Sequence, residues 1–353
     1  MRYSCAVAIC LLSAIAALGY PRPPEGTENI PKLMEEATLV CKGEVISAPK
    51  PLSVADAPRM TGTATVRVDR CFKGDPGGGE IRVSVDSSLP PGGGPAFILN
   101  PGDYRVFFLK SLDGKYAVVD EWFGALRASR EIAHAPGGGD PKLLLELDLD
   151  AGLHDNDPER VLDSIRMLGN MKTLRSTAEL KTLLDAPDLL VKTYVWQALL
   201  RLKDYSVLPA VAEFFIAQPE APRELFLPRD RLFAMQDELV GEVGTIRSLD
   251  ALPYLERFAV SDKRFLRMEA LQALRQIGSA HSASVLLREL DDPDPDNGFS
   301  AMQGLLALRA ADSRIEWVPT WNEFRQSPQF YAAQTREWWR AEGKKRTALP
   351  VNN

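Results

Sequence analysis

Residues 291–298 read Asp-Asp-Pro-Asp-Pro-Asp-Asn-Gly, with Asp292, Asp294 and Asp296 at alternate positions. Alternating oxygen ligands open a calcium loop, which a turn glycine and a bidentate acid at its twelfth position complete. Here the glycine comes one place late, at Gly298, and the twelfth position is Gln303. The run therefore reads better as an acidic helix start. Carboxylates there accept the free amides of the first turn and oppose the positive end of the helix dipole. A second acidic stretch holds Asp148, Asp150, His154 and Asp155. These are the materials of acid–base hydrolysis, or simply of helix caps at a domain junction.

The remaining candidates point away from catalysis. His134, His154 and His281 have no partner at metal-ligand spacing,. There is no Gly-x-Ser-x-Gly elbow. Gly77-Gly78-Gly79 lacks the Lys-Ser/Thr and helix start of a phosphate loop, and prolines flank Gly92-Gly93-Gly94,. We therefore expect no catalytic residues, no cofactor and no metal ligands. Lys263, Arg264 and Arg267 precede a helix and could bind an acidic partner or form an internal ladder at an exposed turn. Trp317 and Trp321 belong to an aromatic cluster with Phe324, Phe330, Tyr331, Trp338 and Trp339. That cluster could present a contact surface, although helical spacing suits a core or an end cap. Lys263, Arg264, Arg267, Trp317 and Trp321 are the candidate partner-binding residues.

The elements that carry these residues are legible from pattern. With 353 residues, 45% hydrophobic and 25% charged, the chain suits two globular domains,. A net charge of −6 argues against general nucleic-acid binding,. Residues 1–19 read as an export signal: Met1-Arg2, an apolar run from Cys5 to Leu18, then small residues ahead of Tyr20-Pro21,. The run is short for a membrane span, so the mature chain is expected to be exported, periplasmic or extracellular, without stable membrane insertion. Export permits disulfides. Cys41 and Cys71 fall in strands that could pair, but they alternate out of phase with their neighbours. A bridge needs a bulge to bring the sulfurs together, so a disulfide and two separate thiols both remain open.

Strand patterns run over Thr38–Ser47, Thr63–Phe72, Glu80–Val85, Tyr104–Leu109, Tyr116–Val119 and Trp122–Leu126,. Gly- and Pro-rich turns separate them. Many short strands with such turns favour a small barrel over residues 20–134. Residues 135–156, opening on Ala-Pro-Gly-Gly-Gly-Asp-Pro, read as an acidic linker. From Asp157 the period becomes helical. Val161, Val195, Met235, Ala270 and Ala301 lead similar apolar faces at the spacing of a two-helix repeat,. Between them recurs a phrase of apolar-Pro-x-apolar-x-x-Phe: Leu208 to Phe214, Leu252 to Phe258 and Val318 to Phe324. Each phrase places Pro in a first helical turn. Such pairs bury their faces only by stacking. The stack should run over 157–345, close with a Trp-rich helix and leave 346–353 as a tail.

Two resemblances follow from these residues. Leu39-Val40-Cys41-Lys42-Gly43-Glu44-Val45, the step Cys71-Phe72-Lys73-Gly74, and Pro101-Gly102-Asp103-Tyr104-Arg105-Val106-Phe107 resemble the oligonucleotide/oligosaccharide-binding (OB-like) barrel of netrin C-terminal modules and tissue inhibitors of metalloproteinases. Those inhibitors ligate the target's zinc with an N-terminal Cys, which the expected mature start, Ala17 or Tyr20, lacks. Ser261 to Leu274 and Leu290 to Ala301 resemble HEAT-like units, with Asn297-Gly298 replacing the usual Val-Arg. The expected fold is thus α+β, a small OB-like β-barrel followed by an all-α HEAT-like solenoid. The expected function is that of an exported, non-catalytic scaffold binding a protein partner. The alternatives are a regulator or inhibitor of an envelope hydrolase acting through the barrel loops, and a hydrolase built on Asp148, Asp150, His154 and Asp155.

Overall fold

The computed structural model describes residues 28–50, 52–54, 57–59, 61–86, 98–112, 114–120, 122–134, 139–219, 231–308, 315 and 317–341. The expected signal (1–19), the Pro90–Pro95 break and the tail 346–353 lie outside the described residues. The chain divides into two compact units, Met1–Leu184 and Asp185–Asn353.

The first unit begins with α1 (Ile30–Glu36) and continues through β1 (Leu39–Ser47), β2 (Leu52–Val54), β3 (Ala57–Arg59), β4 (Thr61–Lys73), β5 (Glu80–Asp86), β6 (Tyr104–Leu112), β7 (Lys115–Val118) and β8 (Ala125–Arg127). β1 pairs with both β4 and β6, and the order β1-β4-β5-β7-β6 closes a five-stranded barrel, with β8 added beside β6. The β5–β7 pairing is parallel and the other barrel pairings are antiparallel. This is the order expected of an OB-like barrel. Its interior is filled by Leu39, Val66, Val83, Phe107 and Leu109, among others.

Three register shifts interrupt the β1–β4 pairing, and the one between Lys42 and Gly43 changes the phase of β4. Val68 lies opposite Gly43 and Arg70 opposite Lys42, so Asp69 is an extra residue,. Beyond it the inward parity switches, from Val66 and Val68 to Cys71, which stands opposite Cys41. This is the shift that the out-of-phase sequence pattern required. Both thiols are nevertheless free. Gly43 permits the close approach at the bulge, since a Cβ there would overlap the carbonyl oxygen of Arg67. The Phe72-Lys73-Gly74 step is likewise structural: Phe72 is buried, and the Lys73 ammonium donates to the Met34 and Glu35 carbonyls at 2.7 and 3.2 Å. A cation there complements the C-terminal end of α1.

A helix occupies much of the stretch 135–156, over the short element that Leu143 to Leu147 suggest. α2 (Pro141–Gly152) is started by Asp140, whose carboxylate accepts from the Lys142 amide, and it buries Leu145 and Leu149. The acidic residues between these leucines mask their i, i+4 stripe in the sequence. α3 (Pro158–Asn170) and α4 (Thr177–Thr182) also fall in the first unit. α3 contacts the barrel's unit: Asp163 pairs with Arg127 of β8 at 3.1 Å, and Arg166 pairs with Glu28 at 3.0 Å.

The second unit stacks helix pairs. Its long helices are α5 (Leu189–Arg201), α7 (Arg231–Thr245), α9 (Arg264–Ile277) and α11 (Pro295–Ala307), with α13 (Pro328–Ala341) closing the series. Each packs on the next. Buried small and aliphatic residues such as Ala198, Leu239, Ala270, Ala273 and Ala301 let them approach. The shorter partners are α6 (Leu208–Ala217), α8 (Leu252–Phe258) and α10 (Ala283–Glu289). Each follows a single 3₁₀ turn whose start is capped by Asp204, Ser248 or Ser279.

Pro209 and Pro253 lie in the first turns of α6 and α8, as the repeated phrase predicts. The third copy differs. Thr320 caps α12 (Trp321–Gln326) in a reciprocal box with Glu323, so Pro319 stands before the helix and Val318 is exposed,. The stronger Thr-x-x-Glu signal overrides the position of the proline. Phe324 is buried between Phe299 and Tyr331, at ring-centroid distances of 5.5 and 6.2 Å. Among the described residues no helix is long and apolar enough to cross a membrane.

Candidate functional site

The turn Ala259–Lys263 joins α8 to α9 and carries the candidate basic residues. Phe258 ends α8 on the core, and the Ser261 amide donates to the Phe258 carbonyl at 3.0 Å, bending the chain. The Ser261 hydroxyl accepts from the Lys263 amide at 3.2 Å, and its carbonyl accepts from Arg267 at 2.9 Å. The turn is therefore held by its own side chains, and α9 starts from a fixed position.

Arg267 presents a planar fork to Asp292, with contacts of 2.7 and 3.3 Å,. Asp292 also accepts from the Asp294 amide at 2.8 Å and from the Asn297 side chain at 3.2 Å. Arg264 pairs with Asp294 and reaches Asp296 at 3.4 Å. Asp294 caps α11 by accepting from the Asp296 amide at 3.1 Å. Burial works against the Asp294 anion, but the hydrogen bonds from Arg264 and from that amide outweigh it and hold the carboxyl below its ordinary value. Asp296 accepts the indole N–H of Trp321 at 2.7 Å, and the Arg325 guanidinium lies over the Trp321 ring.

Asp292, Asp294 and Asp296 are thus committed to guanidinium groups, amides and an indole. They do not converge as ligands, and among the described residues no acidic, His or Cys group could hold a metal ion. Arg264, Arg267 and Trp321 are brought together in one internal ladder linking α9, α11 and α12. Trp317 sits half-buried in the turn before α12. Neither tryptophan lines the two cavities at Val260 and Ser261.

Two cavities meet at Val260 and Ser261. One, of about 650 Å³, is polar and runs past Arg267, Arg288, Glu289 and Asp292. The other, of about 320 Å³, is lined by Phe215, Ile216, Phe258 and Leu266, with Lys263, Arg257 and Asp262 supplying charge. Its aromatic wall is fixed: Phe214 lies 5.7 Å from Phe215, and Phe215 meets Phe258 edge-on at 5.7 Å. Ile216 and Val260 are 58% and 41% exposed, so apolar surface faces water there. Lys263 is 8% exposed. Unlike its two arginine neighbours, it makes no ion pair among the described residues.

A second charged centre, in the first unit, was not legible in the sequence. Lys42 of β1 is 1% exposed. It donates to the Asp148 carboxylate of α2 and to the Glu131 carbonyl. Asp148 also accepts from the Ala133 amide at 3.1 Å and pairs with Arg70 at 3.4 Å. Burial pushes the Lys42 ammonium below its ordinary pKa against the opposing pull of Asp148. Tyr104 lies beside it, its hydroxyl pushed up by burial and by Asp69. With its hydrogen bonds filled from inside, this centre clamps α2 to the barrel.

The acidic stretch considered for hydrolysis is dispersed by its partners. Asp148 faces Lys42, and Asp150 accepts from Arg175 at 3.1 Å. Asp155 accepts from the Ser129 hydroxyl at 2.6 Å and from the Asp157 amide at 2.8 Å, while His154 is exposed. No nucleophile–base–orienter arrangement joins these four residues. The chain matches no protein-family model and no curated protein.

Proposed function

We propose that the protein is an exported, non-catalytic scaffold whose helical stack holds a protein partner, with the turns between its helix pairs as the contact surface. The observation carrying this reading is the rim at Val260–Lys263. Exposed apolar groups, Ile216 and Val260, border a rigid aromatic wall next to a buried lysine. Exposed apolar surface rimmed by polar groups marks sites of interaction. On this reading the barrel belongs with netrin-type OB-like modules and the stack with HEAT-like repeats.

The test is affinity capture from the envelope fraction of the exporting cell with the mature chain as bait. A specific partner that is lost when Ile216 and Val260 are both changed to Asp supports the scaffold. A purified chain that turns over a peptide, ester or glycan substrate, with loss on substitution of one residue, overturns it.

A further inference from the structure

We propose that the cavity beside Lys263 binds the free C-terminal end of a peptide. The last residue's large apolar side chain would lie against Phe215 and Phe258. Its carboxylate would meet the Lys263 ammonium at the N-terminal end of α9. This names the partner chemistry of the scaffold reading above and rests on it.

The charge pattern of the repeat carries the inference. The long helices α3, α5 and α11 all start at an aspartate, Asp157, Asp188 or Asp294, whose side chain accepts a first-turn amide. At α9 the equivalent position is Lys263, and no side chain caps that end. A helix N-terminus carries partial positive charge, so a cation there is unfavourable and an anion is welcome. Lys263 is also more than nine-tenths buried, where a lone cation is costly,. Among the described residues no carboxylate pairs with it. Arg264 and Arg267 each have an aspartate of their own, and Arg257 faces Glu213 at 3.5 Å. Two cations thus line the cavity, Arg257 with Glu213 as its partner and Lys263 with no ion-pair partner among the described residues.

The remaining walls define the rest of the ligand. Phe215, Phe258 and Leu266 are buried and apolar, and Ile216 and Val260 extend that surface to the rim. The volume, about 320 Å³, lies at the small end of ligand sites,. It suits one large side chain with its own backbone carboxylate. A C-terminal residue carries both groups on a single Cα. An internal Asp or Glu offers the acid without the apolar group and needs the chain to leave on both sides. Asp262, exposed in the same cavity, supplies an acceptor for the peptide's last amide. A fatty acid has no N–H to offer it.

The test uses the mature full-length chain and a fluorescein-labelled Gly-Ala-Phe peptide, read by anisotropy. Its arms are the free acid, the C-terminal amide, and decanoate as competitor. We expect the acid to bind at least about tenfold tighter than the amide, a difference of about 1.4 kcal/mol. Lys263→Met should bring the acid down to the amide's affinity and leave the amide's unchanged. Lys263→Arg should restore part of the difference. Ile216→Glu, at an exposed rim position, should weaken the acid more than the amide while the thermal midpoint stays the same.

Equal binding of acid and amide overturns the proposal. So does a Lys263→Met chain that still prefers the acid, displacement by decanoate as readily as by unlabelled peptide, or no acid binding at about 1 mM. If a captured partner is held equally by wild type and Lys263→Met, this site fails and the scaffold stands. If the acid peptide binds as expected but no partner is captured, the scaffold fails and the end-binding cavity stands.

Discussion

Lys42 in the barrel and Lys263 in the helical stack are 1% and 8% exposed, yet they are handled in opposite ways. Lys42 has an internal answer for its charge: the Asp148 carboxylate, the Glu131 carbonyl and the face of Tyr104. Lys263 has none among the described residues and opens onto a cavity. A buried charge that is paired and hydrogen-bonded holds two elements together. A buried charge left open at a rim is costly on its own, and the proposal is that a ligand from outside supplies its partner. On the proposed reading the difference separates a structural centre from a binding one, although either lysine alone would look equally conspicuous.

The largest effect should come from breaking the paired centre. Asp148→Ala leaves Lys42 buried without its carboxylate, at a cost of about 3–5 kcal/mol, read as a lowered urea midpoint. The double change Lys42→Met with Asp148→Leu should cost clearly less, because it removes both charges together. A double variant as unstable as the single would mean that packing, not charge, sets the role of Asp148.

The ladder in the stack should come next. Arg267→Ala strands Asp292, whose side chain is 2% exposed, and should cost about 2 kcal/mol because Arg267 itself retains some solvent contact. The exposed pair Arg257–Glu213, with side chains 51% and 71% exposed, should cost about 0–1 kcal/mol on the same substitution. Urea titrations of the two variants decide whether burial ranks them in this order.

The two regions were unequally legible. The stack's period, its small residues and its two Pro-started helices could be read because packing repeats one local pattern. The barrel strands could be read because alternation and glycine turns are local signals. Lys42 could not, since its partner lies 106 residues on, in a helix whose acidic residues resembled a linker. The bulge at Asp69 was foreshadowed by the clash of phase between Cys41 and Cys71, but its place required the register. Lys263, Arg264 and Arg267 looked like one basic patch in the sequence. Only the positions of Asp292, Asp294 and Asp296 show that two of the three are spent internally. The Phe215–Phe258 wall is assembled from different repeats, so no single segment could announce it. The signal that was available was a lysine standing where α3, α5 and α11 use aspartate.

Acid should loosen the ladder in a set direction. The Asp294 carboxyl is held below its ordinary value in the folded chain. Its contribution is therefore fully present above the unfolded pKa, near ~4, and is lost as pH falls through the lower folded value. Between wild type and Asp294→Asn, the stability difference should shrink as pH drops below about 4. A difference that stays constant from pH 7 through that window would place the role of Asp294 in its cap geometry alone.

Lys263→Met should have the smallest effect on stability and the clearest meaning. The substitution keeps the apolar stem, removes a cation from the positive end of α9, and breaks no ion pair among the described residues. Stability should match wild type or rise, as the cost of a lone buried cation and its opposition to the helix dipole are relieved. Lys42→Met, also isosteric, should instead destabilise, because it leaves Asp148 buried without its ammonium. A loss at position 263 as large as that at position 42 would show that Lys263 is anchored from within, and the contrast between the two lysines would collapse. A neutral or stabilised variant would mean that the native chain keeps a charge its own fold does not use.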